Sequence, residues 1–432
     1  MSTAFQKSSA RSSPTTTAHI PRSRMKALIV AFGLVAAISP AAENPAVEAI
    51  NHLGIATLRQ SAGNTLVSPW SVQQSLAMVF AGARGKTATE MATALGYKGD
   101  PSALHEGFKQ LREAMTAVAA PAEGIKAPQT ANRLFVDRRV SLNADWLELV
   151  RKSYDAPPGV TDFSNPLVAE KAINEWVSGQ TEKKIPFVIP AGRLTRQALL
   201  VVVNALYFDM PWDELFTKEL TTTAPFFLSQ GGCKMVPLMF KQHRQRYAHQ
   251  DGYQIATVPY AGGSLQFVVI LPDRANDLER IEARLTPQLL AGCATLPVAE
   301  IRLSLPRLKM EPAPVAMKDA LRKLGMKTAF CLGADLTGIW HDGRIADPTI
   351  DEVFHRTFIE LNEEGTKAAA ATAAIIRPKN GHPHEVPHQV VRADHPFIFA
   401  IQHVPSGACL FIGRVVDPAP DTPVQPRPPA KK

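Results

Sequence analysis

The 432-residue chain lacks the patterns of disulfide-rich, zinc-binding and nucleotide-binding proteins. Its four cysteines, Cys233, Cys293, Cys331 and Cys409, are widely spaced and form no CxxC pair. That spacing excludes a zinc finger and indicates no disulfide framework, so we expect four small buried side chains. There is no GxSxG elbow, phosphate-binding loop or GxGxxG motif, and no cofactor is expected.

Excess positive charge is also scarce outside the N-terminal segment. The formal net charge is +8, but Lys7, Arg11, Arg22, Arg24 and Lys26 contribute five positive charges before residue 43, where no acid occurs. Subtracting those five leaves +3 for the remaining chain. This excess is too small to predict nucleic-acid binding.

Long hydrophobic runs are few, and the most apolar one lies near the N-terminus. Residues 27–38 follow Lys26 and precede the small residues Ser39, Ala41 and Ala42. The run is too short for a membrane span and predicts a signal peptide over 25–42, hence a secreted, extracellular or periplasmic protein with no membrane attachment after cleavage. A buried core helix is the alternative.

Both ends of the chain have compositions that are unlike a folded domain. Residues 1–24 are rich in Ser, Thr and Arg, which indicates either a disordered extension or a start-site artefact with Met25 as the true start. Residues 419–432 are rich in proline, so we expect a disordered tail.

The most unusual segment is the alanine-rich stretch 363–376. Propensity alone favours a helix there. However, residues 354–361 before it are rich in aromatic and β-branched residues, as in a strand, and Pro378, Pro383 and Pro387 follow it. The flanks therefore favour an extended segment between a strand and an irregular loop.

As a strand, this segment would present small side chains on one face. Thr366, Ala368, Ala370 and Thr372 fall on that face because side chains alternate along a strand. All are small enough to fit beneath neighbouring residues. Gly365, which has no Cβ, supplies the bend before them.

Two further stretches give structural predictions. Residues 198–208 (ALLVVVNALYF) are continuously apolar, which is typical of a central strand covered on both faces. Asn204 within this strand needs hydrogen-bond partners, because an unsatisfied buried amide costs on the order of 1–3 kcal/mol. Thr87 and Glu90 have the spacing of a capping box that opens a helix.

Residues 362–372 (NEEGTKAAAAT) resemble the hinge of the reactive-centre loop in inhibitory serpins. Residues 64–71 and 82–91 are similar to the N-terminal serpin motif, and 394–397 and 411–416 to the C-terminal signature. The resemblance implies an α+β serpin fold over 46–418, with mixed β-sheets, surrounding helices and an exposed reactive-centre loop at about 363–393.

The resemblance also assigns roles to individual residues. It implies a breach residue, Trp212, where an inserting strand first enters the sheet. Four residues would form the shutter beneath the sheet, namely Ser68, Ser71, Asn204 and His355. The other three would supply the hydrogen-bond partners of Asn204. The hinge would comprise Glu363, Glu364, Gly365, Thr366, Ala368, Ala370 and Thr372.

The family's usual register, counted seventeen residues from Glu363, puts the scissile bond between Lys379 and Asn380. A lysine there suits trypsin-like proteases with an acidic specificity pocket. Cleavage after Arg377 is disfavoured by Pro378. A bond beyond Asn380 stays open, because the stretch from Lys379 to Pro396 is longer than is common in the family.

These assignments imply a monomeric suicide inhibitor, not an enzyme, that forms a covalent acyl complex with a trypsin-like serine protease. A non-inhibitory serpin that acts as a binding or chaperone protein is the alternative, and inhibition of cysteine proteases also stays open. Bulky, charged or proline residues at Thr366, Ala368 or Ala370 would have favoured the non-inhibitory alternative, and none is present.

One enzymatic pattern competes with this interpretation. His384, Glu385 and His388 fit the HExxH signature of zinc proteases. That chemistry needs both histidines on one face of a regular helix. Pro387 lies between them and Pro383 just before them, which disfavours the helix. We therefore expect no specific metal site, although adventitious binding by His382, His384 and His388 stays open.

Overall fold

A computed structural model describes residues 44–117, 128–340, 349–366 and 389–418, which belong to one contact-defined unit. Nine α-helices occur in these ranges, and five of them begin at a proline. They are α1 (Pro45–Gln60), α2 (Pro69–Gly82), α3 (Gly85–Leu95), α4 (Pro101–Ala117), α5 (Ala144–Tyr154), α6 (Pro166–Gln180), α7 (Leu278–Arg284), α8 (Pro287–Gly292) and α9 (Lys318–Lys323). No helix in the described ranges is long and apolar enough to cross a membrane.

The strands of the described ranges form two mixed sheets. They are β1 (Thr65–Val67), β2 (Gln129–Asp137), β3 (Gly159–Thr161), β4 (Leu200–Tyr207), β5 (Met210–Pro211), β6 (Thr222–Phe227), β7 (Cys233–Gln250), β8 (Tyr253–Pro259), β9 (Leu265–Pro272), β10 (Val298–Pro306), β11 (Leu308–Met310), β12 (Val315–Ala316), β13 (Ile350–Leu361), β14 (Gly365–Thr366), β15 (Gln389–Arg392), β16 (Phe397–His403) and β17 (Ala408–Val415).

The nine-stranded sheet has the order β1-β17-β16-β9-β8-β7-β10-β15, and β6 pairs with β7. The eight-stranded sheet has the order β3-β2-β4-β13-β14-β5, and β11 and β12 pair with β13. At its centre β4 pairs antiparallel with β2 and parallel with β13. The mixed β-sheets and surrounding helices expected from the sequence are thus present.

β4 is a central strand, as its continuous apolar sequence predicts. All eight residues are buried. Leu200, Val202 and Leu206 join the large core around α2, whereas Val201 and Val203 join a second core that includes residues of α6. The sheet is therefore covered on both faces, and any strand added to it must fit side chains into two packed layers.

α2 fixes the position of the polar groups beneath this sheet. Ser68 precedes the helix and accepts a hydrogen bond from Ser71 N at 3.2 Å, and Pro69 occupies the first helical position. Most of the helix is buried, including Gln73 and Ser75. Such buried polar side chains require partners on the elements that cover the helix.

The capping box predicted at Thr87 and Glu90 is wrong. α3 begins at Gly85, and no side-chain cap precedes it. Thr87 Oγ1 instead accepts from Asp335 N at 2.9 Å. Glu90 accepts from the backbone N–H groups of residues 327 and 328, at 2.9 and 2.6 Å. Both side chains thus bind a distant segment rather than their own helix.

The cysteines fulfil the prediction only in part. All four are free thiols, so the structure contains no disulfide among them. Cys293 and Cys409 are buried, as expected, and burial raises the pKa of the Cys293 thiol to about 12. Cys233 and Cys331 are exposed, so the expectation of four buried side chains is wrong.

Candidate functional site

The candidate site begins where β13 ends and the chain reverses. Asn362 N donates to Gly365 O at 2.9 Å. The Asn362 side-chain oxygen accepts from Glu364 N at 2.9 Å and from Gly365 N at 3.2 Å. These bonds form a tight turn of the kind that asparagine favours. β14 consequently runs antiparallel to β13, with Thr366 opposite Leu361.

The short strand β14 lies between β13 and β5. On its other side Gly365 pairs with Pro211 and Thr366 with Met210, both in β5. β5 follows β4 after two residues, and β4 pairs directly with β13 along the rest of their length. The strands that flank β14 therefore meet below it, and β14 is the start of an additional strand between them.

The glycine at this position is required by close packing. A Cβ added to Gly365 would lie 2.2 Å from Met210 O and 2.6 Å from Pro211 Cα. Both contacts are with backbone atoms, which cannot move aside without disturbing β5. The sequence predicted a bend at Gly365, and the structure adds a steric reason for the missing side chain.

Thr366 is fully buried and hydrogen-bonded. Its hydroxyl lies 2.6 Å from the hydroxyl of Tyr260, which is itself fully buried. Burial raises the pKa of Tyr260, so its phenol is neutral and can donate or accept here. The first inward-facing residue of the predicted hinge is thus already part of the core.

Trp212, the predicted breach residue, holds the turn from one side. Its indole Nε1 donates to Asn362 O at 2.9 Å, and its backbone N donates to Glu364 O at 3.0 Å. The indole ring stacks on Tyr260 with centroids 4.6 Å apart. Trp212 therefore contacts both the turn and the tyrosine that binds Thr366.

Glu363 makes a buried ion pair that the sequence did not indicate. Its carboxylate accepts from Arg307 Nη2 at 2.7 Å and from Thr221 Oγ1 at 2.6 Å, and the side chain is 3% exposed. Burial opposes ionisation, but the bonds from Arg307 and Thr221 outweigh it and lower the pKa of Glu363. No local signal could have revealed Arg307, which lies 56 positions away.

Glu364 makes a weaker contact with solvent access. It pairs with Lys218 Nζ at 2.5 Å, and the two side chains are 28% and 61% exposed. Exposed pairs of this kind contribute about 0–1 kcal/mol. The two adjacent glutamates thus differ sharply in the strength with which they fix the turn.

The four predicted shutter residues lie together beneath the sheet, but their contacts differ from those expected. His355 Nε2 accepts from Ser68 N at 3.1 Å. Asn204 Oδ1 accepts from Ser75 Oγ at 2.5 Å, so the expectation that Asn204 bonds Ser68, Ser71 or His355 is wrong. Ser71 bonds Asn132 on β2 instead.

Ser75 and Asn132 also belong to this polar cluster, and sequence reasoning missed both. Ser75 follows Ser71 by four positions and Ser68 by seven, which puts all three on one helical face. That spacing could have identified Ser75. Asn132 lies in register with Asn204 across β2 and β4, and it also donates to Gln74 Oε1 at 2.8 Å. Its role depends on strand register, which the sequence did not reveal.

Two donors in the shutter have no partner within the described part of the chain. Asn204 and His355 lie in register on β4 and β13. Burial lowers the pKa of His355 to about 3, so the imidazole is neutral, and because Nε2 accepts, Nδ1 carries the hydrogen. His355 Nδ1 and Asn204 Nδ2 are both buried and unpaired.

Several predicted residues lie outside the described part of the chain. They are Ala368, Ala370, Thr372, Lys379, Asn380 and the histidines of the HExxH pattern. The predicted loop, about 363–393, includes two short strands at its ends, because Gly365–Thr366 form β14 and Gln389–Arg392 form β15. Within the described ranges, no group of three or more His, Cys, Asp or Glu could hold a metal ion.

The geometry defines a protein whose central sheet can take up a further strand. A central parallel strand pair is parted at one end by a hinge strand, and the segment 367–388 joins that hinge to β15. This arrangement can accept an additional strand.

Comparison with known proteins identifies the family. The family model described as "Serpin (serine protease inhibitor)" matches residues 47–418. The leukocyte elastase inhibitor of Equus caballus is 37% identical over 367 residues, which cover 82% of this chain and 93% of that protein. Serpin B6 of Pongo abelii is 36% identical and covers 83% and 95%. The chain belongs to the serpin family.

Solved structures agree with this assignment and confirm the expected α+β serpin fold. The thermophilic serpin tengpin in its native state has a TM-score of 0.76 at 27% identity, over 86% of this chain and 94% of that one. Arabidopsis AtSerpin1 in its native stressed conformation has a TM-score of 0.74 at 26% identity, over 87% and 98%.

The two glutamates of the turn provide a matched test of the site. Glu363→Gln removes the charge that Arg307 and Thr221 bind, and we expect a loss of about 2 kcal/mol. Glu364→Gln removes only the exposed pair with Lys218, and we expect a loss below about 1 kcal/mol. Thermal midpoints at one fixed scan rate measure both. Equal midpoints for the two variants would contradict the proposed importance of the buried pair.

The burial of His355 predicts that the stability of the protein depends on pH. Its pKa is 6.5 in the unfolded reference and about 3 in the folded protein, so between these values the unfolded chain binds more protons. The contribution of His355 to the free energy of unfolding is therefore fully present above about pH 6.5. It falls as the pH drops toward 3, by on the order of 1 kcal/mol per pH unit. His355→Gln removes this contribution.

The measurement compares thermal midpoints of wild type and His355→Gln from about pH 7 to pH 4. His105 and His403, whose pKa values burial lowers to about 4, act in the same direction in both proteins and cancel. We expect wild type to lose stability faster than the variant as the pH falls. Parallel curves would show that His355 is not the buried neutral group described.

Proposed function

We propose that the protein inhibits serine proteases by suicide-substrate trapping, in which the cleaved reactive-centre loop inserts between β4 and β13. The observation that carries the proposal is the position of β14, which already lies between β13 and β5 and runs antiparallel to both. An antiparallel insert would replace the direct parallel contact of β4 and β13 with two antiparallel ladders.

The chemistry needs only the ordinary reaction of the protease. Its serine attacks the carbonyl of Lys379, the bond to the nitrogen of Asn380 breaks, and the new amine takes a proton from the protease histidine. An ester then joins Lys379 to the protease. Water would hydrolyse this ester unless insertion displaces the protease active site first, so inhibition depends on the relative rates of the two steps.

The register at the hinge predicts where an inserted loop would end up. If β14 continues without a bulge, residue 370 comes opposite Thr357 and residue 372 opposite His355, while on the other side residue 372 comes opposite Asn204. The Thr372 hydroxyl would then lie between Asn204 Nδ2 and His355 Nδ1, the two unpaired donors. A hydroxyl oxygen has two lone pairs and can accept from both.

Insertion would release enough energy to disrupt a protease active site. If about a dozen residues each gain a net hydrogen bond of roughly 0.5–1.5 kcal/mol, the total is on the order of 10 kcal/mol. That equals the stability of an ordinary domain. The intact state would have to persist because the barrier is high, and the bonds of Glu363, Trp212 and Thr366 contribute to such a barrier.

The finer assignment of a trypsin-like target rests on Lys379 in the family's usual register. The name of the Equus caballus relative points to a different target, leukocyte elastase. A scissile bond beyond Asn380 would remove the lysine from the specificity position. We also propose export, supported by the apolar run 27–38 after Lys26.

Incubation with trypsin tests the proposal. We expect a complex that survives denaturing electrophoresis. We also expect a released C-terminal peptide whose mass shows that it begins at Asn380. If a stable complex forms but the released peptide begins at another residue, the scissile bond lies at that residue and the trapping mechanism still holds. Complete cleavage without any stable complex would favour the second candidate, a non-inhibitory binding or chaperone serpin.

Thr366 provides the mutational test. Thr366→Arg would put a charged side chain where a fully buried hydroxyl bonds Tyr260, so insertion should stall and the protein should become a substrate. Thr366→Ser, which keeps the hydroxyl, is the control and should still form the complex. The ratio of complexed to cleaved protein after trypsin treatment measures the effect. Unchanged complex formation by Thr366→Arg would refute insertion.

A further inference from the structure

The outer face of β7, β10 and β15 carries a cluster of arginines, defined here as the basic face. Its members are Arg244 and Arg246 on β7, Arg302 on β10 and Arg392 on β15. Arg244, Arg302 and Arg392 are exposed, and Arg246 is partly exposed. Residues 245, 301, 303 and 391, which alternate with them, are buried, so the arginines point away from the core.

Strand register brings these arginines close together. Arg244 pairs with Glu300 and Arg302 with residue 242 across β7 and β10, which makes Arg244 and Arg302 diagonal neighbours. Arg302 pairs with Val390 across β10 and β15, so Arg392 is its next diagonal neighbour. Diagonal neighbours lie about 7–8 Å apart, within one Debye length at physiological salt.

Most of this charge is not neutralised within the described part of the chain. Arg392 pairs with Asp394 at 2.6 Å, whereas Arg244, Arg246 and Arg302 have no ion pair with a described residue. Glu300 is the one acid in register with them. Two valines on the same face, Val298 and Val390, are 52% and 58% exposed. Arginine beside exposed apolar surface is typical of protein interfaces.

We propose that the basic face is a docking surface for the target protease and selects proteases with an acidic surface beside their substrate cleft. This inference rests on the proposed function. β15 begins at Gln389, nine residues after Asn380, so a protease that attacks the bond 379–380 is tethered within about 30 Å of this face. The arginines would speed encounter more than they stabilise the complex.

The test uses two trypsin isoforms, one anionic and one cationic, which share a specificity for lysine and arginine. The variant is Arg244→Glu with Arg302→Glu. The matched control is Lys152→Glu with Lys323→Glu, on α5 and α9, which changes the net charge equally without touching the basic face. The readout is the rate constant of loop cleavage at low and high salt.

At low salt we expect the basic-face variant to react about tenfold more slowly than wild type with the anionic isoform. The control should stay within about twofold. High salt should abolish the difference, and the cationic isoform should not react more slowly with the variant. Equal rates of the variant and the control with anionic trypsin would overturn the proposal.

A heparin column separates protease docking from general polyanion binding. If the variant loses retention on heparin but its cleavage rate equals that of the control, the face binds a polyanion and protease docking is refuted. Cleavage is measured independently of trapping. A charge-dependent rate without a stable complex would therefore support the docking surface while refuting the proposed inhibition.

Discussion

The structure depends on the direct parallel contact between β4 and β13. These strands pair from residues 200 and 350 to residues 207 and 358, and they lie between two packed cores. The pair places Asn204 and His355 side by side, with two buried donors that have no partner among the described residues. Each such donor costs on the order of 1–3 kcal/mol. The backbones of the two strands are thus paired, but two side-chain donors beside them are not. An additional strand could supply the missing acceptors.

In the proposed mechanism, the contacts of the hinge keep this completion from occurring spontaneously. Trp212 fixes the turn through Asn362 and Glu364, Tyr260 binds Thr366, and Glu363 forms a buried ion pair with Arg307. Each contact must be preserved or exchanged as the strand advances. A state that lacks favourable hydrogen bonds can thus persist for kinetic reasons.

The elements predicted from local patterns were confirmed more often than the contacts between them. The continuous apolar run predicted β4, and the aromatic and β-branched stretch predicted β13, because both signals are local. The prediction of a partner for Asn204 was wrong, because the choice among Ser68, Ser71 and Ser75 depends on how α2 is rotated against the sheet. The capping box at Thr87 failed for a related reason, since a segment more than two hundred residues away supplies the donor.

The central claim is that the intact protein stores energy that loop insertion releases. The most direct measurement compares the thermal midpoint of intact protein with that of protein nicked once in the segment 367–388, under identical conditions. The account predicts that the nicked protein melts at least about 10 °C higher, because insertion adds on the order of 10 kcal/mol. A nicked protein that melts at the same or a lower temperature would contradict it.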